Sequence, residues 1–120
     1  MRSKDQAFWI TWYDLPADGR ERYLDWLHGS FIPKMLARPG FLHAAHYESE
    51  IRIKPEARLN QLDDPAFPRG NQFMLVFAAA EPHVFAHPSP HNLHTVLSAE
   101  ENAMLALRSG VRTSIFIEVA

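Results

Sequence analysis

Residues 7–13 read Ala-Phe-Trp-Ile-Thr-Trp-Tyr. β-branched and aromatic residues over this length predict a strand. Side chains alternate across a strand, so Phe8, Ile10 and Trp12 share one face, and Ala7, Trp9 and Tyr13 the other. Both faces are apolar. Residues 72–79, Gln-Phe-Met-Leu-Val-Phe-Ala-Ala, repeat the pattern, with Phe73, Leu75 and Phe77 opposing Met74, Val76 and Ala78. A sheet that meets water on one side alternates apolar with polar residues. These two strands do not, so each belongs in the middle of a sheet covered on both sides.

The rest of the chain is read outward from these strands. Pro16 and Gly19 mark the exit from the first. Asp18 with Glu21 three residues later resembles a capping box, and Tyr23, Leu24, Leu27 and Phe31 then recur at helical spacing. Pro33 has no N–H to give, which predicts a break near Gly29-Ser30 and a further turn from Pro33, stopped at Pro39-Gly40. Residues 41–48 read as the second strand. Residues 49–71 are polar and rich in Asp, Arg and Pro, predicting a short helical turn near residues 56–62 or an extension that touches a partner subunit.

Residues 81–95 hold three prolines and four histidines and predict a loop with single helical turns at most. Ser98 and Glu101 form a capping box. The helix they open is predicted to reach about Ser109, with Ala103, Met104 and Leu107 inward and Gly110 as its C′ residue. Residues 111–119 are the fourth strand.

The order strand, helix, strand, strand, helix, strand is the split βαβ arrangement of an α+β, ferredoxin-like fold with a four-stranded antiparallel sheet. The 120 residues suit a single domain over 1–120. Two helices cover one face of such a sheet. The second apolar face predicts a homodimer in which two sheets meet about a twofold axis.

Composition narrows the function. The chain lacks cysteine, which removes disulfides, thiolate metal sites and a cysteine nucleophile. Net charge is -2 without a basic run, so no nucleic-acid partner is expected. The apolar run at 7–13 is too short for a bilayer and lacks a signal-peptide cleavage pattern, which predicts no membrane association and a cytoplasmic location.

The stretch Trp26-Leu27-His28 through Ile32-Pro33, ending in Arg38-Pro39-Gly40-Phe41, resembles the dimeric α/β-barrel superfamily, and within it the EthD-like members. The resemblance implies a barrel of two sheets with a small-molecule pocket between sheet and helices. Such members include cofactor-free monooxygenases, haem enzymes, dehydratases and isomerases. EthD-like members carry a His two residues before that Pro; this chain has Phe31 there.

His28, His46 and Asp14 are the candidate catalytic residues. Imidazole titrates near neutral pH, and a carboxylate beside aromatics at a strand end can act as a base. Each has a structural alternative: a helix-end His, a partly buried strand His, and an Asp that shapes the turn before Pro16. Trp12, Tyr47 and Trp26 are the candidate ligand-binding residues. His43 and His46, three apart on one strand, face opposite sides and cannot chelate one metal. His83, His87, His91 and His94 have helical spacing, but Pro88 and Pro90 forbid the helix, so neither a metal nor a cofactor is expected.

Two functions fit. One is a small-molecule-binding protein working as a cofactor-free enzyme of the monooxygenase, dehydratase or isomerase type on an aromatic or polyketide-like metabolite. The other is a non-catalytic dimeric ligand-binding or sensing module. A haem or metal protein would rest on the seven histidines alone.

Overall fold

A computed structural model of the chain describes residues 6–49 and 72–119. The elements run β1 (Ala7–Asp14), α1 (Arg20–Trp26), a π-helical turn (Leu27–Phe31), α2 (Ile32–Leu36), β2 (Phe41–Glu48), β3 (Phe73–Ala79), two 3₁₀ turns (Pro82–Ala86 and Leu93–Val96), α3 (Ala99–Leu105) and β4 (Ser109–Ile117). The sheet order is β2-β3-β1-β4 and every pairing is antiparallel. This is the α+β ferredoxin-like fold, with the two most apolar strands in the middle. The predicted features of residues 50–71 lie outside the described residues.

Register sorts the side chains into two sets of rows. On the helix-covered face, Ala44, Phe77, Trp9 and Ile115 form one row and His46, Leu75, Thr11 and Thr113 the next. On the other face the rows are His43, Ala78, Phe8, Phe116; then Ala45, Val76, Ile10, Ser114; then Tyr47, Met74, Trp12, Arg112. The core lies on the first face, where Phe77 stands 5.7 Å from Phe41, 6.1 Å from Trp9 and 6.2 Å from Phe31, centroid to centroid. The indole N–H of Trp9 donates to Thr113 Oγ1 at 3.1 Å, so its burial strands no donor.

Tyr23, Leu27, Phe31 and Met35 are the buried residues of the first helical arm. An α-helix turns about 100° per residue, so four-residue steps drift about 40° each, or about 120° over three. The π turn supplies the correction. Ile32 N–H donates to Leu27 C=O, five residues back, and the extra residue takes up most of the drift. The predicted break at Gly29-Ser30 is therefore a widened turn within a continuous arm. It also widens the chain just ahead of Pro33, which has no N–H and whose ring would crowd a regular preceding turn.

Several predicted details differ. Gly19, at φ 83, is the N-cap of α1 and no side chain caps it, so Asp18 and Glu21 form no capping box. The box at Ser98 and Glu101 is present, and Glu101 also takes both hydrogen bonds of Lys34, at 2.8 and 2.9 Å. α3 ends at Leu105, earlier than predicted, with Ala103 exposed and Leu105 joining Met104 and Leu107 against the core. Gly110, at φ 60, is not a helix C′ residue. It lies in β4, where the pairing shifts from Trp12↔Arg112 to Asp14↔Ser109, a bulge with glycine in the left-handed region. Gly40, at φ 88, is held to glycine twice over, since an added Cβ would overlap Val84 Cγ2. No described helix is long and apolar enough to cross a membrane.

Candidate functional site

The first helical arm and the sheet bring two of the predicted residues together. His28 sits in the π turn and is exposed; His46 sits on the helix-covered face of β2 and is half-buried. His28 Nε2 and His46 Nδ1 are 3.0 Å apart. The other ring nitrogen of His46, Nε2, is 2.5 Å from the hydroxyl of Tyr13, which is fully buried. A hydrogen-bonded chain thus runs from solvent at His28 through His46 to Tyr13.

Aromatic packing fixes that chain. The His46 ring is stacked on Tyr13 at 9° and 6.0 Å and on Phe73 at 13° and 5.6 Å, and Tyr13 is stacked on Phe73 at 5.4 Å. Arg108 places its guanidinium carbon 5.7 Å from the centre of the Tyr13 ring and donates its Nε–H to Leu105 C=O. Tyr23 meets Tyr13 edge-on at 5.8 Å. Its hydroxyl is buried and closes no hydrogen bond of full geometry, with Tyr13 and Arg108 the hydrogen-bonding groups nearest to it.

Burial, helped by neighbouring His28, lowers the His46 pKa from 6.5 to about 4, so this imidazole is neutral at pH 7. Burial also raises the Tyr13 phenol well above its usual range and pushes the Tyr23 phenol up. The neutral His46 has a consequence for stability. Between pH 6.5 and about 4 the unfolded chain binds a proton there that the folded chain refuses. Stability therefore falls as pH is lowered through that window. Urea midpoints measured across it should decline, and His46→Gln should flatten the decline; equal slopes for the two proteins would contradict a neutral, buried His46.

The other predicted residues lie elsewhere. Asp14 is buried at the end of β1 and its Oδ1 accepts from Gln72 N–H at 2.9 Å, while Gln72 Oε1 accepts from Leu15 N–H at 2.8 Å. These bonds shape the strand end. Trp12 and Tyr47 are on the opposite face of the sheet from His46. Trp12 there carries the Arg112 guanidinium at 5.1 Å and meets Phe116 edge-on. Trp26 packs on Tyr23 and Phe31 and lines a surface cleft of about 430 Å³ with Arg22, Ser30, Glu100, Glu101 and Met104. His83 pairs with Glu81 at 3.1 Å, and no group of three metal-ligating side chains forms among the described residues. Tyr13, Phe73 and Arg108 complete the histidine site without being singled out by the sequence.

No protein-family model matches the chain, and no curated protein matches it in sequence. Solved structures do match. SnoaB, a cofactor-independent oxygenase from Streptomyces nogalater, aligns with a TM-score of 0.60 at 13% identity, over 97% of this chain and 95% of that one. A monooxygenase from the gene ActVA-Orf6 of Streptomyces coelicolor, in complex with nanaomycin D, aligns with a TM-score of 0.55 at 11% identity, over 98% and 90%. A dimeric ferredoxin-like protein from an uncultured marine organism gives 0.57 at 9% identity, over 98% and 91%. At these identities the likeness is one of fold: the chain has the ferredoxin-like architecture on which these oxygenases are built.

Proposed function

We propose that this chain is a homodimeric α/β-barrel protein that binds an aromatic, polyketide-like metabolite and acts on it as a cofactor-free enzyme, with His28 and His46 handling a proton. The observation that carries this reading is the chain His28–His46–Tyr13, which joins an exposed imidazole to a buried phenol in a mostly apolar setting. A few convergent polar groups among aromatic side chains are the usual make-up of a small-molecule site. The EthD-like resemblance of residues 26–41 supports a small-molecule pocket between sheet and helices, but not the role of His28, since the family's His position is Phe31 in this chain and His28 lies one helical turn earlier. The fold shared with two oxygenases, one of them holding nanaomycin D, supports the same pocket.

His28 is exposed and meets the ligand; His46 is fixed by its stacking partners and holds His28 in place. Positioned acid–base groups contribute about 10²–10⁴-fold to a rate. The test is a thermal-shift screen of hydroxylated naphthoquinones, nanaomycin D among them, followed by turnover assays on the compounds that bind. A specific ligand raises apparent stability. His28→Ala and His46→Ala are expected to cut turnover by about 10²–10⁴-fold while the protein stays folded. Binding without turnover would point instead to a ligand-binding or sensing module, and unchanged turnover in both variants would remove the histidines from the chemistry.

A further inference from the structure

The direction of the hydrogen-bonded chain is legible in its geometry. Either the Tyr13 hydroxyl donates to His46 Nε2, or His46 Nε2–H donates to the hydroxyl. Their separation is 2.5 Å. N–H···O bonds span about 2.7–3.2 Å, whereas bonds with a hydroxyl donor run shorter, from about 2.5 Å between two oxygens. The short separation fits the hydroxyl as donor better than the ring N–H. The surroundings agree. Were the Tyr13 hydroxyl proton turned away from His46, it would point at the Tyr23 hydroxyl, where the contact falls short of a well-formed hydrogen bond. A buried donor loses stability by giving up a well-formed bond for a poor one.

We infer that Tyr13 is the positioning residue of this site: its hydroxyl holds His46 in the Nδ1–H form and so leaves His28 with an N–H facing outward, a neutral donor for an acceptor oxygen of the ligand. The steps follow from valence. A neutral imidazole carries one N–H. With His46 Nε2 accepting from Tyr13, the His46 proton sits on Nδ1 and points at His28 Nε2, 3.0 Å away. His28 Nε2 then accepts, and the proton of neutral His28 sits on Nδ1. His28 makes no other hydrogen bond among the described residues, so that N–H is offered to whatever binds. Resting His28 is thus a hydrogen-bond donor, and the ligand feature it recognises is a carbonyl, enolate or phenolate oxygen. A neutral histidine that polarises an oxygen in this way acts as an electrophile.

This inference rests on the reading of His28 and His46 as the ligand site, but its test needs no ligand. Long-range ¹H–¹⁵N correlation on ¹⁵N-labelled protein at about pH 8, where an ordinary imidazole is neutral, identifies the protonated nitrogen of each ring. His46 is expected with a protonated Nδ1 and a bare Nε2, and His28 likewise. In Tyr13→Phe the donor to Nε2 is gone, and His46 should shift toward the Nε2–H form that free histidine prefers. Tyr23→Phe removes a hydroxyl that closes no well-formed bond to Tyr13 and should leave the native pattern in place. A native spectrum with the His46 proton on Nε2, or an unaltered His46 pattern in Tyr13→Phe, would overturn the inference. If Tyr13→Phe does not fold, the native spectrum alone decides. Failure to find any ligand or turnover would sink the enzymatic reading and leave this tautomer result standing, and the reverse also holds.

Discussion

Phe77→Ala should cost about 3–5 kcal/mol, the range for removing a buried phenyl ring from a packed core. Phe77 is 3% exposed and stands among Trp9, Phe31 and Phe41, so it touches the sheet, the first helical arm and the entry to β2 at once. These neighbours come from β1, the π turn and β2, and no single one can move in to refill the space. Whole domains are stable by only about 5–15 kcal/mol, so the loss removes a large part of the total. For a domain near 100 residues each kcal/mol shifts Tm by roughly 4–8 °C, which predicts a fall of at least roughly 12 °C. Melting should be followed at one protein concentration, because association contributes to apparent stability. Ala78 is the useful contrast in thought: one residue on, it points to the other face and has no side-chain volume to lose. A Phe77→Ala loss under about 1 kcal/mol would mean that the core is centred elsewhere.

That Phe73, Leu75 and Phe77 share a face is visible in residues 72–79 because strand parity depends on the sequence alone, but which face meets the helices is not, since Met74, Val76 and Ala78 are apolar too. Features that need positive φ are less legible. Gly110 follows a helix and precedes a strand, and both a C′ residue and a bulge want glycine in the left-handed region, so the letter cannot separate them; the shifted pairing of Trp12 and Asp14 does. Likewise Pro33 announces a disturbance, but the answer, a π turn that keeps Tyr23, Leu27, Phe31 and Met35 on one face, depends on the sheet beneath it. The site shows the same limit. His28 and His46 are each conspicuous as residue types. Their meeting depends on the register of β2 against β3, including the irregularity between Phe41 and His43, which no local pattern encodes. Tyr13 reads as core, which it is, and its hydroxyl's partner lies two strands away. Trp12 and Tyr47 group with the histidines by chemistry alone; register puts them behind the sheet.

Val76→Glu should dissociate the proposed homodimer while leaving the helix-covered core intact. Val76 lies at the centre of the uncovered face, in the row Ala45, Val76, Ile10, Ser114, flanked by Phe8 and Ala78 on one side and Trp12 and Met74 on the other. Four strands at about 4.8 Å and eight residues at about 3.3 Å give a face of roughly 500 Å² in projection. Its two central strands are apolar throughout and are flanked by Ala45, Tyr47 and Phe116, so most of that area is apolar and falls in the range of the biggest apolar patch on a typical monomer, about 300–600 Å². A twofold contact duplicates every substitution, so one Glu near the axis becomes two carboxylates facing each other in a dry interface. Like charges placed so cost several kcal/mol; at 1.4 kcal/mol per decade that weakens association by about 10²–10³-fold or more. Light scattering behind size exclusion reads the result, and circular dichroism checks that the fold survives. Ser114→Glu, at the edge of the same row on β4, should weaken the dimer far less. A native protein that stays monomeric at high concentration, or a Val76→Glu variant that remains a dimer, would show that this face is shielded some other way.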